Sequence, residues 1–152
     1  MKHVVPVLVV VLANFVLAGI AGADGSTAGA PRISSLSGAE ETGAAGGDSD
    51  GKGFVMIRLN VGQSRVCWQL EWSDIATPFA AHIHVAPAGV AGPIVVPLSI
   101  SATGSSSGCG TADPELIQAI IDIPENYYVN VHNAGFPGGA IRGQLSVPGQ
   151  SD

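Results

Sequence analysis

The sequence predicts an all-β protein, an antiparallel Greek-key β-sandwich or barrel with one short helix near residues 114–122. Its 152 residues, 46% of them apolar, suffice for one hydrophobic core. Only 12% of the residues are charged, whereas 21 are glycine and 10 are proline, a composition that excludes a charged helical bundle. Several short segments alternate between apolar and polar residues, and glycine and proline clusters separate them, as is typical of strands joined by turns.

The N-terminal residues have the layout of a secretory signal peptide. A basic start at 1–3 precedes an apolar run at 4–20, and the small residues 21–23 form a cleavage pattern. The alternative is an uncleaved membrane anchor, although about 17 apolar residues lie at the short limit for crossing a bilayer. The predicted organisation is a signal peptide at 1–23, a flexible leader at 24–31, one domain at 32–147 and a C-terminal tail at 148–152.

The charge and hydropathy of the sequence exclude two kinds of partner, nucleic acid and membrane. Six basic residues against twelve acidic residues give a formal charge of −6, and no lysine or arginine cluster is available to neutralise a phosphate backbone, which excludes nucleic acid. No segment after the leader is long and apolar enough to span a bilayer, so no membrane association is expected once the leader is removed. The predicted location is secreted, extracellular or periplasmic.

Export also bears on the two cysteines, Cys67 and Cys109. An oxidising compartment favours a disulfide between them, which would close a loop of about 40 residues and stabilise the fold by about 3–4 kcal/mol. The alternative is a pair of buried free thiols.

Strands are predicted where apolar residues occupy every second position. Two such segments, 54–60 and 65–72, each place one face in the core. Strands at 80–85 and 93–98 follow, separated by turn residues. The serine-rich segment 105–109 is expected to be a flexible loop. The residues expected to face the core in the first three strands are Val55, Ile57, Leu59, Val66, Trp68, Leu70, Trp72, Ala81, Ile83 and Val85.

The single helix is predicted from its boundary residues. Asp113 is a good N-cap, Pro114 suits the first helical position, Glu115 complements the helix dipole, and Pro124 ends the helix. An apolar stripe on this helix is expected to cover one end of the sandwich. The chain then ends in a predicted hairpin of two strands, 127–132 and 140–147.

The most informative chemical motif is His82-Ile83-His84 on a predicted strand. Residues i and i+2 of a strand point the same way, with Cα atoms about 6.5–7 Å apart, so both imidazoles can share one metal ion. His132 lies on the polar face of another strand, and the three imidazoles converge if the two strands are neighbours. Imidazole suits zinc and copper, so the hypothesis is a copper or zinc site formed by His82, His84 and His132.

Three further polar residues are predicted beside this cluster. Asn130 shares a face with the third histidine, and Arg142 and Gln144 share the polar face of the returning strand, where they would contact an anion or support the ligands. Two alternatives stay open: a structural hydrogen-bond cluster, in which Arg142 pairs with Glu40 or Glu41, and a catalytic site. The common hydrolase, P-loop and zinc-protease motifs are missing, so no catalytic residue is assigned.

Three parts of the sequence carry a family resemblance: residues 36–41 (LSGAEE), residues 81–84 with 88–98 (AHIH and AGVAGPIVVPL), and residues 127–132 with 136–145 (YYVNVH and FPGGAIRGQL). Together they resemble the CHRD domain, the module first described in chordin, and the resemblance covers residues 32–147. It implies an extracellular β-sandwich without an established general enzymatic activity. The favoured function is therefore a secreted, non-enzymatic binding or structural module whose partner is an extracellular protein or a surface polymer.

The histidine and arginine arrangement is also similar to that of copper-zinc superoxide dismutase, and the expected sandwich is of the immunoglobulin or superoxide dismutase type. This similarity implies that His82, His84 and His132 are metal ligands and that Arg142 steers an anion. A bridging histidine, a zinc-loop aspartate and a fourth copper histidine are not recognisable. The alternative function is a copper- or zinc-binding protein, with dismutase-like activity as its extension.

Overall fold

The structure, a computed structural model that describes residues 29–150, is an eight-stranded antiparallel sheet with one α-helix, α1 (Pro114–Asp122). The predicted all-β class and the predicted helix are confirmed. Short 3-10 turns occupy Gly38–Glu40, Val61–Gln63 and Pro124–Asn126. The strands are β1 (Ala30–Ser37), β2 (Lys52–Asn60), β3 (Arg65–Ser73), β4 (Pro78–Val85), β5 (Ile94–Leu98), β6 (Ser105–Thr111), β7 (Tyr127–Asn133) and β8 (Ile141–Gln144).

The sheet curls into a nearly closed barrel. Its strand order is β5-β4-β7-β8-β1-β2-β3-β6, so several connections cross from one half of the sheet to the other, as in Greek-key folds. The two edges of the sheet approach each other. The Ser99 carbonyl, just after β5, accepts hydrogen bonds from the Trp68 indole N–H on β3, at 3.3 Å, and from the Ser106 hydroxyl on β6, at 2.8 Å. Alternate residues of most strands fill the interior, as the two-residue periodicity predicts, whereas β6 contributes none to the core.

Helix α1 closes one end of the barrel. Asp113 caps it by accepting the backbone N–H two residues later, at 2.7 Å, and the helix buries Ile117 and Ile120 next to the β2–β3 turn. The Arg32 guanidinium donates to the Ile121 carbonyl near the other end of the helix, where carbonyls have no intrahelical partner. The apolar stripe therefore packs where the sequence pattern predicts it.

The prediction of a flexible loop at the serine-rich segment 105–109 is wrong, because these residues belong to strand β6. Its serines and glycines have low strand propensity, but β6 pairs with β3 over seven residues, from Arg65 opposite Thr111 to Glu71 opposite Ser105. Gly108 lies flat against the Trp68 ring, where a Cβ would approach the indole to 2.7 Å. Tertiary pairing, not local propensity, determines this strand.

The predicted disulfide between Cys67 and Cys109 is confirmed. The two residues lie directly opposite each other on β3 and β6, and their sulfur atoms are bonded across 42 residues of sequence. The bond therefore fixes the edge strand β6 to its neighbour. Residues 29–150 contain no free cysteine.

The ends of the domain differ slightly from the sequence prediction. Ala30 and Pro31, the last residues of the predicted leader, begin β1. The strand predicted at 140–147 is shorter, because after Gln144 the chain moves from β7 toward β1 and forms a single bridge between Ser146 and Ile33. The predicted signal peptide at 1–23 lies outside the described residues. Within 29–150, none of the helices has the length and apolar character needed to span a bilayer.

Candidate metal site

Protein covers the outer face of β7 and most of the outer face of its neighbours β4 and β8, where His82 stays partly exposed. All seven residues of β7 are buried, because one face lies in the barrel core and the other lies under the loops 86–93 and 134–140. The loop carbonyls of Pro87, Gly92 and Pro137 each accept a hydrogen bond from a side chain of this face. The buried residues of this second, polar core are His84, Tyr128, Asn130, His132 and Arg142.

Strand register brings the three predicted histidines together. On β4, His82 and His84 point to the same side because two residues separate them, and Ile83 between them lies in the apolar core. On the neighbouring strand β7, His132 is paired with Ala80, two residues before His82. The third imidazole is therefore a diagonal neighbour of the first on the same face.

The imidazole nitrogens are spaced like the ligands of one small ion. His82 Nδ1 and His132 Nε2 are 3.2 Å apart, and one nitrogen from each of the three rings lies within 4.8 Å of the others. Four ligands at zinc–nitrogen distances of about 2.0–2.1 Å are about 3.3 Å apart in a tetrahedron. One pair already has this spacing, and a small movement of the His84 ring would bring the third nitrogen to it.

Two loop carbonyls determine which ring nitrogens of His84 and His132 carry the proton and which carry the lone pair. His84 Nδ1 is 2.9 Å from the Gly92 carbonyl, and His132 Nδ1 is 3.0 Å from the Pro137 carbonyl. A carbonyl oxygen only accepts, so each Nδ1 carries the proton and each Nε2 carries a lone pair. His84 Nε2 is buried and has no hydrogen-bond partner within the described residues. This is the state of histidine ligands in metal sites, where the second nitrogen donates to a carbonyl or carboxylate.

Burial favours the neutral form of two of the imidazoles, those of His82 and His132. Burial, together with the smaller effect of the positive charges that His132 and His84 would carry, lowers the pKa of His82 to about 4. Burial also lowers the pKa of His132, against the opposing hydrogen bond to Pro137. Metal ligation requires the neutral ring, so at neutral pH these two side chains need lose no proton before binding.

Behind the histidines lies a stack of three planar groups. The Tyr128 ring packs on His84, with centroids 4.7 Å apart and planes 10° from parallel, and the Arg142 guanidinium carbon lies over the Tyr128 ring, 3.4 Å from its centroid. The Tyr128 hydroxyl accepts the Gly92 N–H at 3.1 Å. A Cβ on Gly92 would overlap the Val85 carbonyl, so only glycine allows this loop to approach the strand so closely.

Arg142 and Gln144 lie in this supporting layer. Arg142 is only 2% exposed, and it donates to the Pro87 carbonyl at 3.1 Å, with longer contacts of 3.4 Å to Thr42 and to Gln144. The Gln144 amide donates at 2.7 Å to the carbonyls of Ala86 and of residue 125. Both side chains therefore tie the loop that follows β4 to β8, and the guanidinium faces protein.

Glu41 and Phe79 were not predicted as members of the site. The Glu41 side chain is half-buried, and this burial raises its pKa to about 7, although the Arg142 charge and a hydrogen bond from Asn130 act in the opposite direction. The sequence indicated Glu41 only as one of two acidic residues that could pair with Arg142.

Phe79 is the extra residue of a bulge in β4, 60% exposed and stacked on His132 with centroids 6.4 Å apart. A bulge of this kind has no counterpart in a two-residue pattern.

Fold and site together define a single all-β domain, a curled antiparallel barrel with a buried histidine cluster on its outer face. The CHRD domain family profile matches residues 33–145, nearly the whole described chain, and the protein belongs to this family. The predicted family resemblance is therefore confirmed, with boundaries within two residues of the predicted 32–147. The comparisons with curated proteins and with solved structures returned no match.

Proposed function

We propose that this CHRD-domain protein binds one copper or zinc ion through His82, His84 and His132. The observation that carries the proposal is the buried, unpartnered Nε2 of His84 beside two other imidazoles. A buried polar atom without a partner costs about 1–3 kcal/mol, and coordination of a cation by its lone pair removes that cost. The rest of the site supports this arrangement, because the loop carbonyls hold the protons on the opposite nitrogens.

The chemistry of the ligands supports copper or zinc. The cluster consists of three imidazoles and contains no thiolate or carboxylate within the described residues. Nitrogen ligands favour zinc and copper, whereas magnesium and calcium prefer oxygen. The proposal is for metal binding only. It does not extend to superoxide dismutation, because the guanidinium expected to steer an anion is 2% exposed and lies behind Tyr128.

Metal analysis of the purified protein tests the proposal. We expect about one equivalent of zinc or copper per chain after loading and gel filtration at neutral pH, and less than about 0.1 equivalent in the variant His82→Ala/His84→Ala/His132→Ala. Phe79→Ala is the matched control, because this side chain packs on the same cluster but has no ligand atom. A wild-type protein that holds less than about 0.1 equivalent of both metals contradicts the proposal.

We further propose that the protein is secreted and acts as a non-enzymatic module that engages an extracellular protein or a surface polymer. The signal-peptide layout of residues 1–23 and the disulfide on β3 and β6 support export, because such bonds persist in oxidising compartments. N-terminal sequencing of the protein collected from the medium or periplasm tests this. The expected first residue is Asp24, and a product that begins at Met1 and stays with the membrane fraction contradicts it.

A further inference from the structure

Asn130 lies between the histidine cluster and the half-buried carboxyl of Glu41. The residue is 3% exposed, and its Oδ1 lies 2.9 Å from His132 Nε2. Its amide N–H donates to the Glu41 carboxyl on the other side. The side chain therefore presents its oxygen, not its nitrogen, to the cluster.

This contact is unfavourable unless a positive centre lies beside it. Because His132 Nδ1 donates to Pro137, the Nε2 that faces Asn130 carries a lone pair, and so does the amide oxygen. Two acceptors at 2.9 Å repel each other without a proton or a cation between them. Turning the amide over would remove this contact, but it would direct the amide oxygen, instead of the N–H, to the Glu41 carboxyl. The same separation is normal for two ligands of one metal ion.

Building on the proposed three-histidine site, we infer that Asn130 Oδ1 is the fourth ligand of a divalent ion and that Glu41 positions it. The three imidazoles and the amide oxygen give a set of three nitrogens and one oxygen around the metal. Glu41 holds the amide in the coordinating orientation by accepting its N–H, and Arg142 places a positive charge near that carboxylate. An amide oxygen is a hard donor that suits Zn²⁺ or Cu²⁺ and adds little for Cu⁺.

The difference between metals provides the test. Affinities for Zn²⁺ and for Cu⁺ are measured by competition with a chromophoric chelator, on the full exported chain. We expect Asn130→Ala to lower the Zn²⁺ affinity by about 10- to 100-fold and the Cu⁺ affinity by less than about 3-fold. Glu41→Ala is expected to reproduce this pattern, since it releases the amide. A residue with only a structural role would change both affinities equally, and the retained Cu⁺ binding shows that each variant is folded.

A reciprocal exchange of the two side chains is the sharper control. In the double variant Glu41→Gln/Asn130→Asp, the glutamine amide donates to the new aspartate, and an oxygen still faces the metal. We expect this variant to bind Zn²⁺ at least as tightly as the wild type, whereas Asn130→Ala does not. If Asn130→Ala leaves the Zn²⁺ affinity unchanged, or lowers both affinities equally, the fourth ligand is overturned while the three-histidine site stands. If the wild type binds neither metal, the three-histidine site itself is overturned.

Discussion

Replacement of His84 by phenylalanine should remove the stabilisation by metal while leaving the metal-free fold nearly unchanged. The phenylalanine ring keeps the stacking on Tyr128, which in the wild type has centroids 4.7 Å apart. The variant loses the hydrogen bond from Nδ1 to the Gly92 carbonyl, worth about 1 kcal/mol, and also removes the buried unpartnered Nε2, which costs the wild type about 1–3 kcal/mol. These opposing effects should leave the free energy of unfolding within about 2 kcal/mol of the wild type.

In the presence of metal the two proteins should differ strongly. Binding to the folded state alone stabilises it by about 4 kcal/mol when the free metal concentration is about 1,000 times Kd. For a domain of this size that corresponds to a rise in Tm of about 15 °C. Without the His84 lone pair, two imidazoles remain, and we expect a stabilisation by zinc of less than about 1 kcal/mol in His84→Phe.

Differential scanning calorimetry at a buffered free zinc concentration measures both quantities. Each protein is heated with zinc and with a chelator, and Phe79→Ala is included because it alters the surroundings of His132 without removing a ligand. Phe79→Ala should keep most of the wild-type shift. The reasoning fails if zinc raises the Tm of His84→Phe as much as that of the wild type, because the metal would then bind elsewhere.

Three further predictions concern the disulfide, the half-buried carboxyl and the loop that carries the His84 partner. Replacing Cys67 and Cys109 by alanine should lower the free energy of unfolding by about 4 kcal/mol, as expected for a closed loop of 42 residues; urea titration showing a loss below about 1 kcal/mol would contradict this. In metal-free protein, stability relative to Glu41→Gln should fall by about 1 kcal/mol as the pH rises from 4.5 through about 7, because the folded state keeps a proton that the unfolded chain releases; a pH-independent difference in chemical denaturation would refute it. Gly92→Ala should weaken zinc binding at least about 10-fold in chelator competition, while Gly138→Ala, where a Cβ meets nothing, should not.

The histidine cluster could be predicted because strand geometry is strict. A two-residue period fixes which side chains share a face, so His82 and His84 had to lie together once their segment was extended. That β4 and β7 are neighbours is a fact of topology, which the sequence pattern leaves open. The structure supplies the pairing of Ala80 with His132 and thereby the third imidazole.

Strand β6 could not be predicted from its own residues. Ser105, Ser106, Ser107 and Gly108 favour a loop, and their extended conformation depends on pairing with β3 and on a disulfide to a residue 42 positions away. Local propensity contains neither contribution. The same limitation applies to Phe79, because a bulge depends on the register between two strands rather than on either strand alone.

Burial of the polar face was the larger unpredicted feature, and it supports the proposed metal site. Alternation identifies the polar side of β7 but not what covers it, and in the structure two loops cover it and bury Asn130 and His132. In water, each imidazole nitrogen would have a solvent partner and metal would have to displace it. Under the loops, His84 Nε2 has no such competitor, while the carbonyls of Gly92 and Pro137 hold the opposite nitrogens protonated. The loops therefore contribute through backbone oxygens and through the exclusion of water, so their conformation, more than their side chains, determines whether the three histidines are ready to coordinate.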